Sequence, residues 1–234
     1  MKSTIQDKSK LVNSVFSKVY KKYDLMNDIM SMGIHRIWKK KFIDWMNPQQ
    51  NESLIDVASG TGDIAKLFSK RNNHLNQIIC AEPNKEMHQE GKSNLISFKN
   101  IKWLRAQAEN IPLKNDTFDF YTISFGIRNV SNINLSLKEA FRILKPGGRF
   151  MCLEFSKIDN ELINLIYHQY SKIIPVLGKY IVGSSKPYDY LIKSIDQFYT
   201  QEELVELMKN NGFSNVEYRN LSNGIAAIHS GWKI

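Results

Sequence analysis

Asp56, Gly60-Thr61-Gly62 and Glu82 have the types and spacing of a cofactor grip. The apolar run Leu54-Ile55-Asp56-Val57-Ala58 leads into the glycine turn. Glycines there let the backbone turn sharply and approach a ligand, and a helix starting near Asp63 presents unpaired amides. Glu82 follows the turn by about twenty residues, where such folds offer paired carboxylate oxygens to ribose hydroxyls. A solvated acid at a strand end explains the same residue. Gln107-Ala108 places a side-chain amide, both donor and acceptor, where it can read an adenine edge; a plain turn is the alternative. The glycine turn by itself also suits a dinucleotide enzyme, and Ala65 would supply the third small residue of that fingerprint.

These residues need a scaffold. From Ser53 onward, short apolar runs alternate with helical patterns, which predicts an α/β fold with a mostly parallel sheet covered by helices on both faces. The predicted strands are Leu54 to Ala58, Gln77 to Ala81, Ile101 to Leu104, Phe118 to Ser124 and Arg149 to Phe155, with closing strands Ser214 to Asn220 and Gly224 to His229 around a Ser222-Asn223-Gly224 turn. Ligands in such sheets collect at the carboxyl ends of the strands. Helices are predicted at Ile64 to Lys70, Lys85 to Ser93, Leu135 to Leu144 and Gln201 to Asn211, the last capped by Thr200 and ended by Gly212. Lys145-Pro146-Gly147-Gly148 reads as a helix stop and turn. The first fifty residues carry a helical stripe of Leu11, Val15, Phe16, Val19 and Tyr20, an added cap over the ligand edge. The set Tyr23, Met26, Met30, Met32 and Trp38 reads as cap packing, and Asp24 and Asn27 as helix-start residues.

The 234 residues fit one domain: a helical cap over 1–50, a cofactor-binding core over 53–156 and a substrate-side helical insertion or lid over 161–197. Cys80 and Cys152 sit in strand-like runs, as buried reduced thiols of a cytoplasmic protein do. The five histidines lack zinc spacing, so no metal is expected. A net charge of +9 invites nucleic acid or an anionic membrane. Lysine far outnumbers arginine, however, in a chain rich in asparagine and isoleucine, which AT-rich coding produces without any binding function. The N-terminus has no apolar segment or small-residue cleavage site, so no secretory signal is expected. Leu162 to Val182 is broken by His168, Lys172, Pro175 and Lys179, which suits a lid better than a membrane span.

Asp56, Gly60-Thr61-Gly62, Glu82, Gln107-Ala108, Phe118-Asp119 and Leu144-Lys145-Pro146-Gly147-Gly148 together resemble the class I S-adenosylmethionine (AdoMet)-dependent methyltransferases. That resemblance implies a Rossmann-like, mostly parallel seven-stranded sheet. Tyr23-Asp24-Leu25-Met26-Asn27 through His35-Arg36 and Trp38, Phe125-Gly126-Ile127-Arg128-Asn129-Val130, Leu153-Glu154-Phe155-Ser156, Tyr188 and His229-Ser230-Gly231-Trp232-Lys233 narrow it. They closely resemble the ubiquinone and menaquinone C-methyltransferases, nearly end to end.

The resemblance implies AdoMet as methyl donor and a ring carbon of a reduced polyprenylated benzoquinol or naphthoquinol as acceptor. Carried over by motif, the cofactor contacts are Asp56, Gly60, Thr61, Gly62, Glu82, Gln107, Ala108 and Ser124. Glu82 and Gln107 depart from the family's usual aspartate and asparagine or aspartate, and Pro83 follows the acid; hydrogen-bonding type survives while reach changes. Arg128 is implied as the group assisting phenol deprotonation, with pairing to a structural carboxylate as its alternative reading. His35 and Tyr23 read as structural. Neither an Asn/Asp-Pro-Pro-aromatic motif nor a Pro-Cys nucleophile is present, so no nucleic-acid substrate is expected. The polyprenyl tail implies peripheral contact with the inner face of the membrane, and a homodimer or a quinone-biosynthesis complex stays open.

Overall fold

The computed structural model describes residues 12, 14, 17, 23–71, 76–158 and 186–234. A hairpin of α1 (Tyr23–Ser31) and α2 (His35–Met46) precedes β1 (Leu54–Val57), α3 (Asp63–Arg71), β2 (Ile78–Ala81), α4 (Lys85–Asn94), β3 (Ile101–Leu104) and β4 (Phe118–Ser124). After a short 3-10 turn at Ile127–Asn129 come α5 (Ile133–Ile143), β5 (Leu144–Phe155), α6 (Lys186–Asp196), α7 (Gln201–Asn210), β6 (Ser214–Leu221) and β7 (Ala226–Trp232). The seven strands are ordered β3-β2-β1-β4-β5-β7-β6. Pairings from β3 to β5 are parallel, and β7 runs antiparallel to both β5 and β6. Between β1 and β4 the strand order reverses, and in such sheets the crevice at that reversal takes the ligand.

Alternate residues of the central strands feed two cores. Leu54, Phe120, Met151 and Leu153 pack with Trp38 and Phe42 of α2, Phe68 of α3 and Leu191 of α6. Ile55, Val57, Tyr121, Ile123 and Phe150 pack with Leu137 of α5 and Leu204 and Met208 of α7. Burial on both faces explains why these strands read as nearly continuous apolar runs. The seven predicted strands and the four helices predicted among and after them are present, each end exact or displaced by one to three residues except the start of β5, which lies five residues earlier. Thr200 does cap α7, in a reciprocal capping box with Glu203, and both cysteines are buried and free.

Three expectations are corrected. Lys145-Pro146-Gly147-Gly148 ends α5 but is no turn before the strand: β5 already begins at Leu144, and the register with β4 shifts between Phe118 and Phe120. The extra residues form a bulge, held by Gly147 N donating to Lys233 O and Lys233 N donating to Gly148 O. Gly147 sits at φ +79°, in the left-handed region. Met32 is not packed into the cap; it is 68% exposed at the α1–α2 turn, with φ +50°. Asn27 does not start a helix but lies buried within α1. Of the predicted cap stripe, Leu11, Val15, Phe16, Val19 and Tyr20 lie outside the described residues, as does 161–185 of the predicted lid. The end of that segment is α6, whose Tyr188, Leu191 and Ile195 are buried against the sheet. No helix among the described residues is long and apolar enough to cross a membrane.

Candidate active site

At the carboxyl ends of β1 and β4, two non-glycine residues occupy the left-handed region, Ala58 at φ +50° and Phe125 at φ +53°. Such backbone costs on the order of 1–3 kcal/mol per residue and tends to persist at functional sites. Both residues line two openings that meet at Gly60. The first, about 750 Å³ counting its open mouth, is walled by Glu82, Pro83, Met87, Gln107, Ala108 and Gly126 among others. The second is smaller and more polar, with Lys39, Asp56, Ser59, Thr61, Asp63 and Ser124 in its wall.

Glu82, at the end of β2, is buried, with Oε2 accepting Gly60 N–H and Oε1 accepting Asn84 N–H, both at 2.9 Å. The carboxylate thus clamps the glycine turn to the start of α4, where Asn84 Oδ1 caps Met87 N. Burial pushes its pKa up to about 7 against the pull of those two amides. Each oxygen keeps a lone pair that can accept a hydroxyl. Across the opening, Glu109 Oε1 accepts Ser131 N at 2.6 Å and Asn132 N at 3.0 Å, tying the loop after β3 to the one after β4. Ala108 is buried in that loop, and Gln107 is exposed on it.

Asp56 on β1 is also buried, and burial raises it to about 7 while the Thr122 hydroxyl and the Lys39 charge pull downward. Its Oδ1 accepts Thr122 Oγ1 at 2.8 Å from the neighbouring strand. Asp56 Oδ2, Ser59 Oγ and Ser124 Oγ are buried without a hydrogen-bond partner. Three such atoms in one wall offer unused hydrogen-bonding capacity to a polar ligand, since most buried polar groups find a partner within the protein. Gly62 stands apart from the other predicted contacts: at φ +86°, a Cβ there would lie 2.6 Å from Leu95 Cδ1 and 3.2 Å from the Trp103 ring. Its glycine serves the turn and its packing, and it lines neither opening.

Arg128 lies in the 3-10 turn beyond β4 with its side chain 3% exposed. Its Nη1 donates to Glu154 Oε1 at 2.5 Å and to Phe125 O at 2.8 Å. Glu154 is buried on β5 and also accepts Phe155 N at 2.9 Å. Arg128 is thus paired with a structural carboxylate, the second of the two readings its motif allows. It also borders a further cavity with Ile127, Tyr190, Lys193, Ser194 and Phe198. His35 faces Asp28, with 2.9 Å between Nε2 and Oδ1, and belongs to the hairpin. Among the described residues no cluster of His, Cys, Asp and Glu is placed to hold a metal.

Lys39, Thr122 and Glu154 join these residues without having been expected from the sequence. Lys39 carried a legible signal, a charge within the inward stripe His35, Trp38, Lys39, Phe42 and Met46 of α2. Glu154 carried another, an acid inside the apolar run from Phe150 to Phe155. Thr122 had none, since its partner is supplied by strand register.

Strand order, glycine turn and acid define the Rossmann-like fold of AdoMet-dependent methyltransferases. A SAM-dependent methyltransferase from Thermotoga maritima shares it with a TM-score of 0.67 at 21% identity, over 94% of this chain and 99% of that one. Phosphoethanolamine N-methyltransferase 2 from Haemonchus contortus, solved with S-adenosyl-L-methionine, gives 0.64 at 12% identity over 84% and 52%. Within that class the chain belongs to the ubiE/COQ5 methyltransferase family, which matches residues 3–233. Relatives include the ubiquinone/menaquinone biosynthesis C-methyltransferases of Rickettsia bellii, 49% identical over 97% of this chain and 94% of that protein, and of Rickettsia akari, 50% identical over the same shares.

Proposed function

We propose that this enzyme transfers a methyl group from AdoMet to a ring carbon of a reduced polyprenylated benzoquinol or naphthoquinol, as a step of ubiquinone or menaquinone formation. Identity of 49–50% with C-methyltransferases of that pathway, over 97% of the chain, carries the reading. The site fits AdoMet. Its three unpartnered buried polar atoms suit a charged, hydrogen-bonding end, and the larger, more apolar opening suits adenosine. When bound, AdoMet supplies a methyl group on an electrophilic sulfonium.

The chain's own residues position it. Glu82 accepts the ribose hydroxyls on its spare lone pairs, Gln107 and Ala108 meet the adenine edge, and Asp56, Gly60, Thr61 and Ser124 surround the methionyl end, with Gly62 shaping the turn. Alignment of methyl and acceptor carbon can supply about 7–11 kcal/mol of the barrier. A quinone ring is too electron-poor to attack, so the acceptor is the hydroquinone, whose phenol ionises near pH ~10. In this reading Arg128 meets that oxygen while staying paired with Glu154. Because Glu154 balances its charge, it holds the oxygen, or a water beside it, through hydrogen bonds more than through net charge.

Labelled AdoMet offered with each demethylated head group, reduced and oxidised, tests the reading. Transfer to a reduced ring and none to the oxidised ring is expected; transfer to neither reduced ring would sink the proposal. A competition between the two reduced rings then assigns the substrate. We also propose that this enzyme is cytoplasmic and meets its substrate at the inner face of the membrane. Exposed Leu25, Met32 and Ile37 on the α1–α2 hairpin stand among exposed Arg36, Lys40 and Lys41, apolar and basic groups that favour an anionic bilayer. Equal partitioning with and without anionic vesicles at low salt would count against it.

A further inference from the structure

The polar opening beside the glycine turn contains a cation from outside the nucleotide-binding core. Lys39 belongs to the α1–α2 hairpin, and its side chain is 8% exposed. Its Nζ donates to Asp63 Oδ2 at 2.7 Å. Asp63 is the first residue of α3, directly after Gly62. An ammonium has three protons, and Asp63 is the one hydrogen-bond partner of Lys39 among the described residues. The spare donors share the opening with Asp56 Oδ2, Ser59 Oγ and Ser124 Oγ, which are buried and unpartnered. Spare ammonium protons beside an open carboxylate oxygen and two open hydroxyls complement a molecule carrying both a carboxylate and an ammonium, as an α-amino acid does.

We propose that Lys39 binds the carboxylate of the methionyl moiety of AdoMet, with Asp63 orienting its ammonium and Asp56 facing the methionyl ammonium. The hairpin is then part of the cofactor site as well as a cover over the sheet. This inference rests on the AdoMet reading and adds a residue to it. The competing account is that Lys39 only fastens the hairpin to α3 through Asp63.

Calorimetric titration with S-adenosylhomocysteine and with 5′-methylthioadenosine separates the two accounts, because the second ligand keeps adenosine and thioether but lacks the amino acid. In Lys39→Met the dissociation constant for S-adenosylhomocysteine should rise about 10- to 100-fold, the range of a lost charge-assisted hydrogen bond. That for 5′-methylthioadenosine should change less than about twofold, which also shows that the variant's adenosine pocket is folded. Lys39→Arg should recover most of the loss. Should Lys39→Met fail to fold, Lys39→Gln, which keeps a donor for Asp63, should show the same selective loss. Equal weakening of both ligands, or of neither, overturns the proposal. Failure of the unaltered protein to bind either ligand overturns the AdoMet reading itself, and this inference with it.

Discussion

Asp56 on β1 and Glu154 on β5 are both buried carboxylates of the parallel sheet, yet they are treated in opposite ways. Glu154 is closed: one oxygen takes Arg128 Nη1 and Phe155 N, and the other lies 3.4 Å from Arg128 N. Asp56 is open: Thr122 holds one oxygen, and the other is buried without a hydrogen-bond partner. Burying a carboxylate is costly unless it is paired and hydrogen-bonded. A closed pair therefore holds the loop after β4 in place, whereas an open one keeps a cost that a ligand can relieve. Burial raises both, and Arg128 pulls Glu154 back down with a fixed charge at contact distance.

Breaking the closed pair should have the largest effect. Arg128→Ala leaves Glu154 buried and uncompensated, so chemical denaturation should show a loss of about 3–5 kcal/mol. Replacing both partners by methionine should restore most of that stability, since a well-packed apolar pair often substitutes at little cost. If Arg128 meets the phenol, the stable double variant should still bind S-adenosylhomocysteine and show no methyl transfer. Turnover near the parent rate would remove Arg128 from the chemistry and leave it a purely structural partner.

The open site should respond to pH. Asp56 and Glu82 are raised to about 7 in the folded protein, well above the ordinary carboxylate range. A raised carboxyl contributes stability when protonated: the contribution is full below about pH 4 and is lost as pH rises through about 7. Each group is then worth on the order of 3 kcal/mol across that interval. Thermal melts of the ligand-free protein should accordingly weaken from pH 5 to pH 8. S-adenosylhomocysteine, whose ribose hydroxyls and ammonium favour the ionised forms, should offset more of the loss at the higher pH. A ligand-induced rise in Tm that does not grow with pH would mean that these carboxylates do not face the cofactor.

A smaller effect tests how Asp56 is kept open. Thr122→Val removes the hydroxyl on its Oδ1 while keeping the side chain's shape, and should cost about 1–3 kcal/mol. The loss should shrink at pH 5, where Asp56 is protonated and needs less support. A loss independent of pH would assign it to packing.

How far these two regions were legible depends on what fixes each. Asp56, Gly60, Thr61, Glu82, Ala108 and Ser124 line the openings because each stands within two residues of a strand end or in the turn beyond it, and strand ends can be read from apolar runs. Gly62 was legible as a glycine, but the reason for it, Leu95 and Trp103 packed against its Cα, lies in contacts remote in sequence. Lys145-Pro146-Gly147-Gly148 was legible as a break in the helix. It became a bulge because Lys233 crosses back from the far end of the chain to bond Gly147 and Gly148. The charges of Lys39 and Glu154 in apolar stripes were visible, while their partners were not.

Local pattern by itself determined the order of strands and helices, the glycine turn and the acid that clamps it, because periodicity and turn chemistry act over a few residues. Resemblance supplied the family and the reaction. Only the tertiary structure decided which charges are open and which are closed. Thr122 reaches Asp56 through the parallel register of β1 and β4, Glu154 meets Arg128 because β5 lies beside β4, and Lys39 reaches Asp63 because α2 packs against α3. Pairings across 24 to 66 residues come from the packing of two cores, which no short stretch of sequence encodes.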